Sequence, residues 1–243
     1  MKRLMTMTVL GAALLAVEAF GGIRALDHSS YYGGDPNVGP LRRHNEKMNV
    51  VTNGGAKVVF VGDSITHFWE TAGKVQLKRY FSKGDYRMLN LGISGERTEH
   101  ILWRLNEGGE LDGYEAKAVV LSIGENNVVQ RKDAAADVDA AVREILALIA
   151  AKQPQAKVVL MPIFPFGAND KDAKRIRNEE VNKLIRPLAD GKRVVWFDIN
   201  AKFLDEKGDN VKWMPDHCHP NAAGYKEIWL PALLPYLKET CGK

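Results

Sequence analysis

Five short runs of apolar, largely β-branched residues recur along this chain, at positions 57–61, 87–91, 118–123, 157–162 and 193–198. Each is separated from the next by enough residues for a helix. Strands joined through helices are joined in parallel, and a parallel sheet is covered on both faces because its crossovers lie there. The alternation therefore predicts a three-layer α/β/α sandwich around a five-stranded, mostly parallel sheet. At 243 residues the chain suits a single core. Its 45% hydrophobic and 26% charged residues are ordinary for a folded globular protein.

The clearest helix is expected over 133–152, where Val138, Val142, Ile145 and Ile149 fall on one face and Asp133 is placed to cap the start. Others are expected over 171–188 and 221–237, the last bent or broken by Pro231 and Pro235. Residues 26–56, with their Tyr-Tyr-Gly-Gly-Asp-Pro segment and charged 42–47 run, read as a strap leading into the first strand. The remainder, 57–243, reads as one domain.

Before the strap, Lys2-Arg3 precedes an apolar stretch over 4–20 interrupted only by small residues, two Thr and Glu18. That order reads as a secretory leader over 1–25, and the stretch is short for a membrane span. Export to the periplasm or medium is expected, without stable membrane insertion of the mature chain. A net charge of +4 with no basic run interleaved with aromatics argues against nucleic acid as a partner. Cys218 and Cys241 are the two cysteines. An oxidising compartment allows them to pair or to stay as separate thiols.

The polar residues converge once placed on this frame. Ligands of open parallel sheets bind beyond the carboxyl ends of the strands. Gly62-Asp63-Ser64 follows the first strand, Ser94-Gly95 the second and Gly124-Glu125-Asn126 the third. Asp216-His217-Cys218-His219 precedes the last helix. A serine hydroxyl needs a base to attack a carbonyl; His219 supplies one, and Asp216 can orient its ring. The oxyanion that forms needs donors already aimed at it. The Ser64 and Gly95 backbone N–H groups and the Asn126 amide are candidates, with Gly95 expected to permit a close backbone approach. Asp63, Glu125 and Trp69 are the candidate substrate contacts. Two bland readings stand beside these: Ser64 as a simple helix cap, and the 216–219 run as a metal cluster.

These four blocks, in this order, resemble the SGNH, or GDSL, hydrolase family. The resemblance runs from about residue 57 to 237. Leu89-Asn90-Leu91-Gly92-Ile93-Ser94-Gly95, His100-Ile101-Leu102-Trp103-Arg104-Leu105 and Gln153-Pro154-Gln155-Ala156-Lys157 are similar to the branch of the platelet-activating-factor acetylhydrolase catalytic subunits. The resemblance implies a flavodoxin-like fold, no metal or organic cofactor, and an acyl-serine intermediate. It places the nucleophile on Ser64, the base on His219, its partner on Asp216, and the oxyanion donors on Ser64, Gly95 and Asn126. The branch also hints at a homodimer, though no surface stripe marks one. Glu125 departs from the branch, where a small or hydroxylated residue precedes the asparagine; it is expected to face a helix, a basic partner or a sugar hydroxyl.

No insertion long enough for a lid separates these blocks, so an open, shallow site is expected. That suits a short acyl group, acetyl above all, on a carbohydrate or similar alcohol, with a small-molecule or polysaccharide ester as partner. A lysophospholipase or thioesterase uses the same residues. A catalytically silent glycan-binding module on this fold is the alternative from another class.

Overall fold

A computed structural model of the chain describes residues 39–241. The leader read over 1–25 and the first part of the strap lie outside the described residues. The strands are β1 (Val58–Gly62), β2 (Met88–Gly92), β3 (Ala118–Ser122), β4 (Lys157–Leu160) and β5 (Val194–Trp196). They pair in the order β2-β1-β3-β4-β5, all parallel. The five runs read from the sequence are these five strands, the first two shifted by one residue and the last three shortened.

Every residue of β1 and β3 is buried, as a sheet covered on both faces requires. Side chains alternate between two cores. Val59, Val61, Val119 and Leu121 point to one face, and Val58, Phe60, Ala118 and Val120 to the other. The first face is covered by α4 (Thr98–Asn106), α5 (Ala135–Lys152) and α6 (Ala173–Ile185). The second is covered by α7 (Leu230–Cys241) and an aromatic cluster of Trp69, Phe81, Tyr225 and Trp229.

Several local readings need correction. The strap contains a helix, α1 (Gly39–Thr52), packed beside β2. Asp133 does not cap α5: Ala134 holds that position, and the Asp133 carboxylate takes bonds from Asn127 and Arg131. The last helix is not broken at Pro235. It begins as a wide turn over Gly224–Trp229, just before Pro231, and runs on to Cys241 with Pro235 inside. A wider turn relieves the clash of a proline ring with the preceding turn, whose carbonyl it leaves without a donor.

Because β1 has β2 on one side and β3 on the other, the chain reverses direction across the sheet between β1 and β3. A crevice forms outside the carboxyl ends at such a switch point. The loops after β1, β2 and β3 all open there.

Candidate active site

The turn after β1 shows why Gly-Asp-Ser is needed at this point. A Cβ on Gly62 would collide with the Thr66 hydroxyl and the Ser122 carbonyl, so only glycine lets β1 turn sharply against β3. Asp63 caps the short helix α2 (Ser64–His67), its Oδ1 accepting from the Ile65 N–H at 3.0 Å. Ser64 is then the first helical residue, held at the rim. Two bonds pin this turn from outside: Asn90 Nδ2 donates to the Thr66 carbonyl at 3.0 Å, and the Tyr225 hydroxyl donates to the Ile65 carbonyl at 2.5 Å.

Ser64 Oγ lies 2.9 Å from His219 Nε2, and His219 Nδ1 lies 2.6 Å from Asp216 Oδ2. Asp216 Oδ1 also accepts the backbone N–H groups of Cys218 at 3.0 Å and His219 at 2.7 Å. His217 adopts a left-handed backbone conformation (φ 59°) that closes this one-turn loop. Its carbonyl accepts from Gly167 at 2.9 Å, which moors the loop to the segment after β4. Partial burial pushes the Asp216 carboxyl up. The backbone and ring N–H groups of His219 outweigh that and hold it below the usual carboxylate range. Phe68 packs beside the imidazole, ring centroids 5.0 Å apart.

The other side of the crevice carries the candidate donors. Gly95 has a φ of 81°, with open space where a Cβ would lie. Its left-handed backbone is one that glycine adopts without strain, and no protein atom fills the space beside its Cα. Asn126 Nδ2 donates to the Glu96 carbonyl at 2.8 Å, and its Oδ1 accepts from Gln130 at 2.7 Å. This fixes the amide with its nitrogen toward the Gly95 loop and leaves a second N–H for another acceptor. Its neighbour Asn127 is spent on structure, bonding Thr98 and Asp133.

Two acids line the dry floor. Asp63 is fully buried, and desolvation raises its carboxyl to about 7 against the opposing Ile65 N–H and the charge of His219. Glu125 is 5% exposed; burial, then the Asp63 carboxylate, pushes it well above its ordinary value despite the Asn178 amide at 2.9 Å. The Glu125 side chain thus faces α6, one of the three environments expected for it. Trp69 is 0% exposed, inside the aromatic cluster, so its ring is not a substrate platform.

No disulfide joins Cys218 and Cys241. Cys218 Sγ sits 3.8 Å from His219 Nε2, whereas the Cys241 carbonyl bonds Lys117 just before β3, at the amino ends of the strands. Among the described residues no group of three or more His, Cys, Asp or Glu side chains is arranged to hold a metal ion, and no helix is long and apolar enough to cross a membrane. Asn90 inside β2, Glu96 in the loop beyond it and the ring of Phe68 were not singled out as site residues from the sequence. Asn90 carried a signal, a polar residue inside an apolar strand.

A hydroxyl, an imidazole and a carboxylate in hydrogen-bond series, opposite oriented amides, form the arrangement that acyl transfer uses. The comparisons agree with that chemistry. Residues 60–227 match the model of the GDSL-like Lipase/Acylhydrolase family. The human platelet-activating factor acetylhydrolase IB subunit alpha1 is 33% identical over 174 residues, 71% of this chain and 71% of that protein. Among solved structures, a GDSL-like lipase from Bacteroides thetaiotaomicron superposes with a TM-score of 0.67 at 19% identity, over 82% of this chain and 97% of that one. An acetylxylan esterase from Geobacillus stearothermophilus gives 0.58 at 21% identity, over 76% and 94%. With the family's motifs in order and its model matched over most of their span, this chain belongs to the GDSL-like lipase/acylhydrolase family, on the side of the platelet-activating-factor acetylhydrolase subunits.

Proposed function

We propose that this chain is a serine esterase that removes short acyl groups, acetyl above all, from an oxygen of a carbohydrate or similar alcohol. The observation that carries this reading is the unbroken series Ser64 Oγ, His219, Asp216 at 2.9 and 2.6 Å. Ser64 Oγ attacks the acyl carbon while its proton passes to His219 Nε2. The carbonyl oxygen becomes an oxyanion facing the Ser64 and Gly95 N–H groups and the Asn126 amide. Collapse breaks the bond to the alcohol, and His219 returns the proton to the departing oxygen. Water then attacks acyl-Ser64 through the same base, releasing the acid and restoring the hydroxyl. Asp216 holds the Nδ1–H and stabilises the imidazolium that forms at each step.

Preference for acetyl on a large alcohol is supported by an open base side, where the Asp216 side chain is 57% exposed and that of His219 28%. The relatives named as acetylhydrolase and acetylxylan esterase support it too. The reading includes export after removal of residues 1–25, on the strength of Lys2-Arg3 and the apolar stretch behind them.

The test compares p-nitrophenyl acetate with longer p-nitrophenyl esters, then measures acetate release from acetylated xylan, acetylated pectin and acetylated sialic acid. Turnover is expected on acetyl esters, falling with chain length and unaffected by EDTA. Zinc-restored activity after chelation, or a preference for long acyl chains, contradicts the proposal.

A further inference from the structure

Glu96 immediately follows Gly95 and is fully buried. Its carbonyl is the acceptor for the Asn126 amide at 2.8 Å. Its carboxylate is gripped by Arg104, with Nε at 3.0 and 3.2 Å and Nη2 at 2.7 Å. One residue therefore touches both candidate oxyanion donors, being bonded to Gly95 through the chain and to Asn126 through space.

The grip extends away from the site. Arg104, itself 0% exposed, also pairs with Glu110, equally buried, and Glu110 Oε1 lies 2.7 Å from His44 Nδ1. His44 stands on α1, before the part of the chain that matches the family model. Its neighbour Arg43 donates to the Gly92 carbonyl at 2.6 Å and the Asn90 carbonyl at 3.3 Å. Helix α1 thus holds the 92–96 loop at both ends, directly at Gly92 and, at Glu96, through the His44–Glu110 contact and the two ion pairs of Arg104.

Buried ion pairs are weak stabilisers, since apolar side chains of similar volume often do as well or better. What a bidentate guanidinium adds is a fixed geometry. Oxyanion stabilisation needs that geometry, because donors aimed in advance cost no reorganisation when charge develops. We infer that Glu96, clamped by Arg104, is a positioning residue that holds the Gly95 N–H and the Asn126 amide in one arrangement, and that α1 anchors the clamp. The inference rests on the acyl-serine reading above.

The experiment is a double-mutant cycle on the full chain. Steady-state hydrolysis of p-nitrophenyl acetate is measured for wild type, Glu96→Gln, Asn126→Ala, the double variant and Ser64→Ala, at a temperature where circular dichroism shows each folded. Glu96→Gln is expected to lower kcat by about 10–100-fold with KM within about threefold. Asn126→Ala should cost about 10²–10³-fold in wild type but less than about tenfold in the Glu96→Gln background, where the donor is already displaced. Additive losses, or an unchanged kcat in Glu96→Gln, overturn the clamp. If Glu96→Gln does not fold, Glu110→Gln takes its place in the cycle, where coupling to Asn126→Ala supports the clamp and additivity overturns it. Near-wild-type turnover in Ser64→Ala removes the acyl-serine reading itself, whereas loss there with an additive cycle removes the clamp alone.

Discussion

The proposed base side and the proposed oxyanion side of this crevice sit in different media. Asp216 and His219 stand on a wet loop, with side chains 57% and 28% exposed. Across from them Glu96 is 0% exposed, Asp63 2%, Glu125 5% and Asn126 8%. A base that takes a proton from Ser64 and returns it to an alcohol must be reachable by substrate and water. Donors that meet a developing charge work best where water is excluded and the local dielectric is low. The same division explains the acids. Asp216, supplied with three N–H donors, stays ionised, while Asp63 and Glu125, on the dry floor, are driven toward their neutral forms.

The largest way to break this contrast is to remove the nucleophile or its base. Ser64→Ala or His219→Ala should each lower kcat/KM on p-nitrophenyl acetate by about 10⁴-fold or more, and the double variant little further, because the groups act as a unit. Additive losses would show two independent roles.

The dry side should answer differently. Asn126→Ala should reduce kcat by about 10²–10³-fold with KM little changed. A change confined to KM in steady-state kinetics would make Asn126 a binding residue only.

Stability sharpens the contrast further. The folded state keeps a proton on Asp63 up to about 7, whereas the unfolded chain releases it near 3.8. Stability from this group is therefore complete below about pH 4 and is lost as pH rises toward 7, at about 1.4 kcal/mol per unit. Asp63→Asn keeps the cap to Ile65 and removes the titration. Urea melts from pH 4 to 8 should show the variant gaining on wild type through that window, and parallel profiles would place Asp63 in a wet environment.

The smallest expected effect is none. Dithiothreitol should leave Tm unchanged, because no disulfide joins the two cysteines, Cys218 lying beside His219 at the carboxyl ends of the strands and Cys241 beside Lys117 at their amino ends. A disulfide closing that loop would contribute about 3 kcal/mol, and its reduction would lower Tm by several degrees.

How much of this was legible beforehand follows from how local each signal is. The sheet was readable because strands buried on both faces must be continuous apolar runs, as Val58–Gly62 and Ala118–Ser122 are. The edge strand Val194–Trp196 is only half-buried, and its reading ran too long. Ser64, Asp216 and His219 were readable because each belongs to a short motif at a strand end or before a helix. The clamp was not. Its partners are separated by 8, 6 and 66 positions. A charged residue on a helix reads by default as solvated, and Arg104, between Trp103 and Leu105, gave only the hint of a cation among apolar neighbours. Trp69 misled for a related reason: an aromatic that can stack on a sugar is indistinguishable in sequence from one packed edge-to-face against Tyr225 and Trp229.

Covalent labelling tests the centre of all this most directly. A p-nitrophenyl alkylphosphonate, which mimics the tetrahedral intermediate, is incubated with wild type and with His219→Ala, and the adduct is located by peptide mass spectrometry. One phosphonyl group per wild-type chain is expected on Ser64, with turnover lost in step and little label in His219→Ala. Full activity without label on Ser64, or a stoichiometric adduct on another residue, would contradict a serine nucleophile driven by His219.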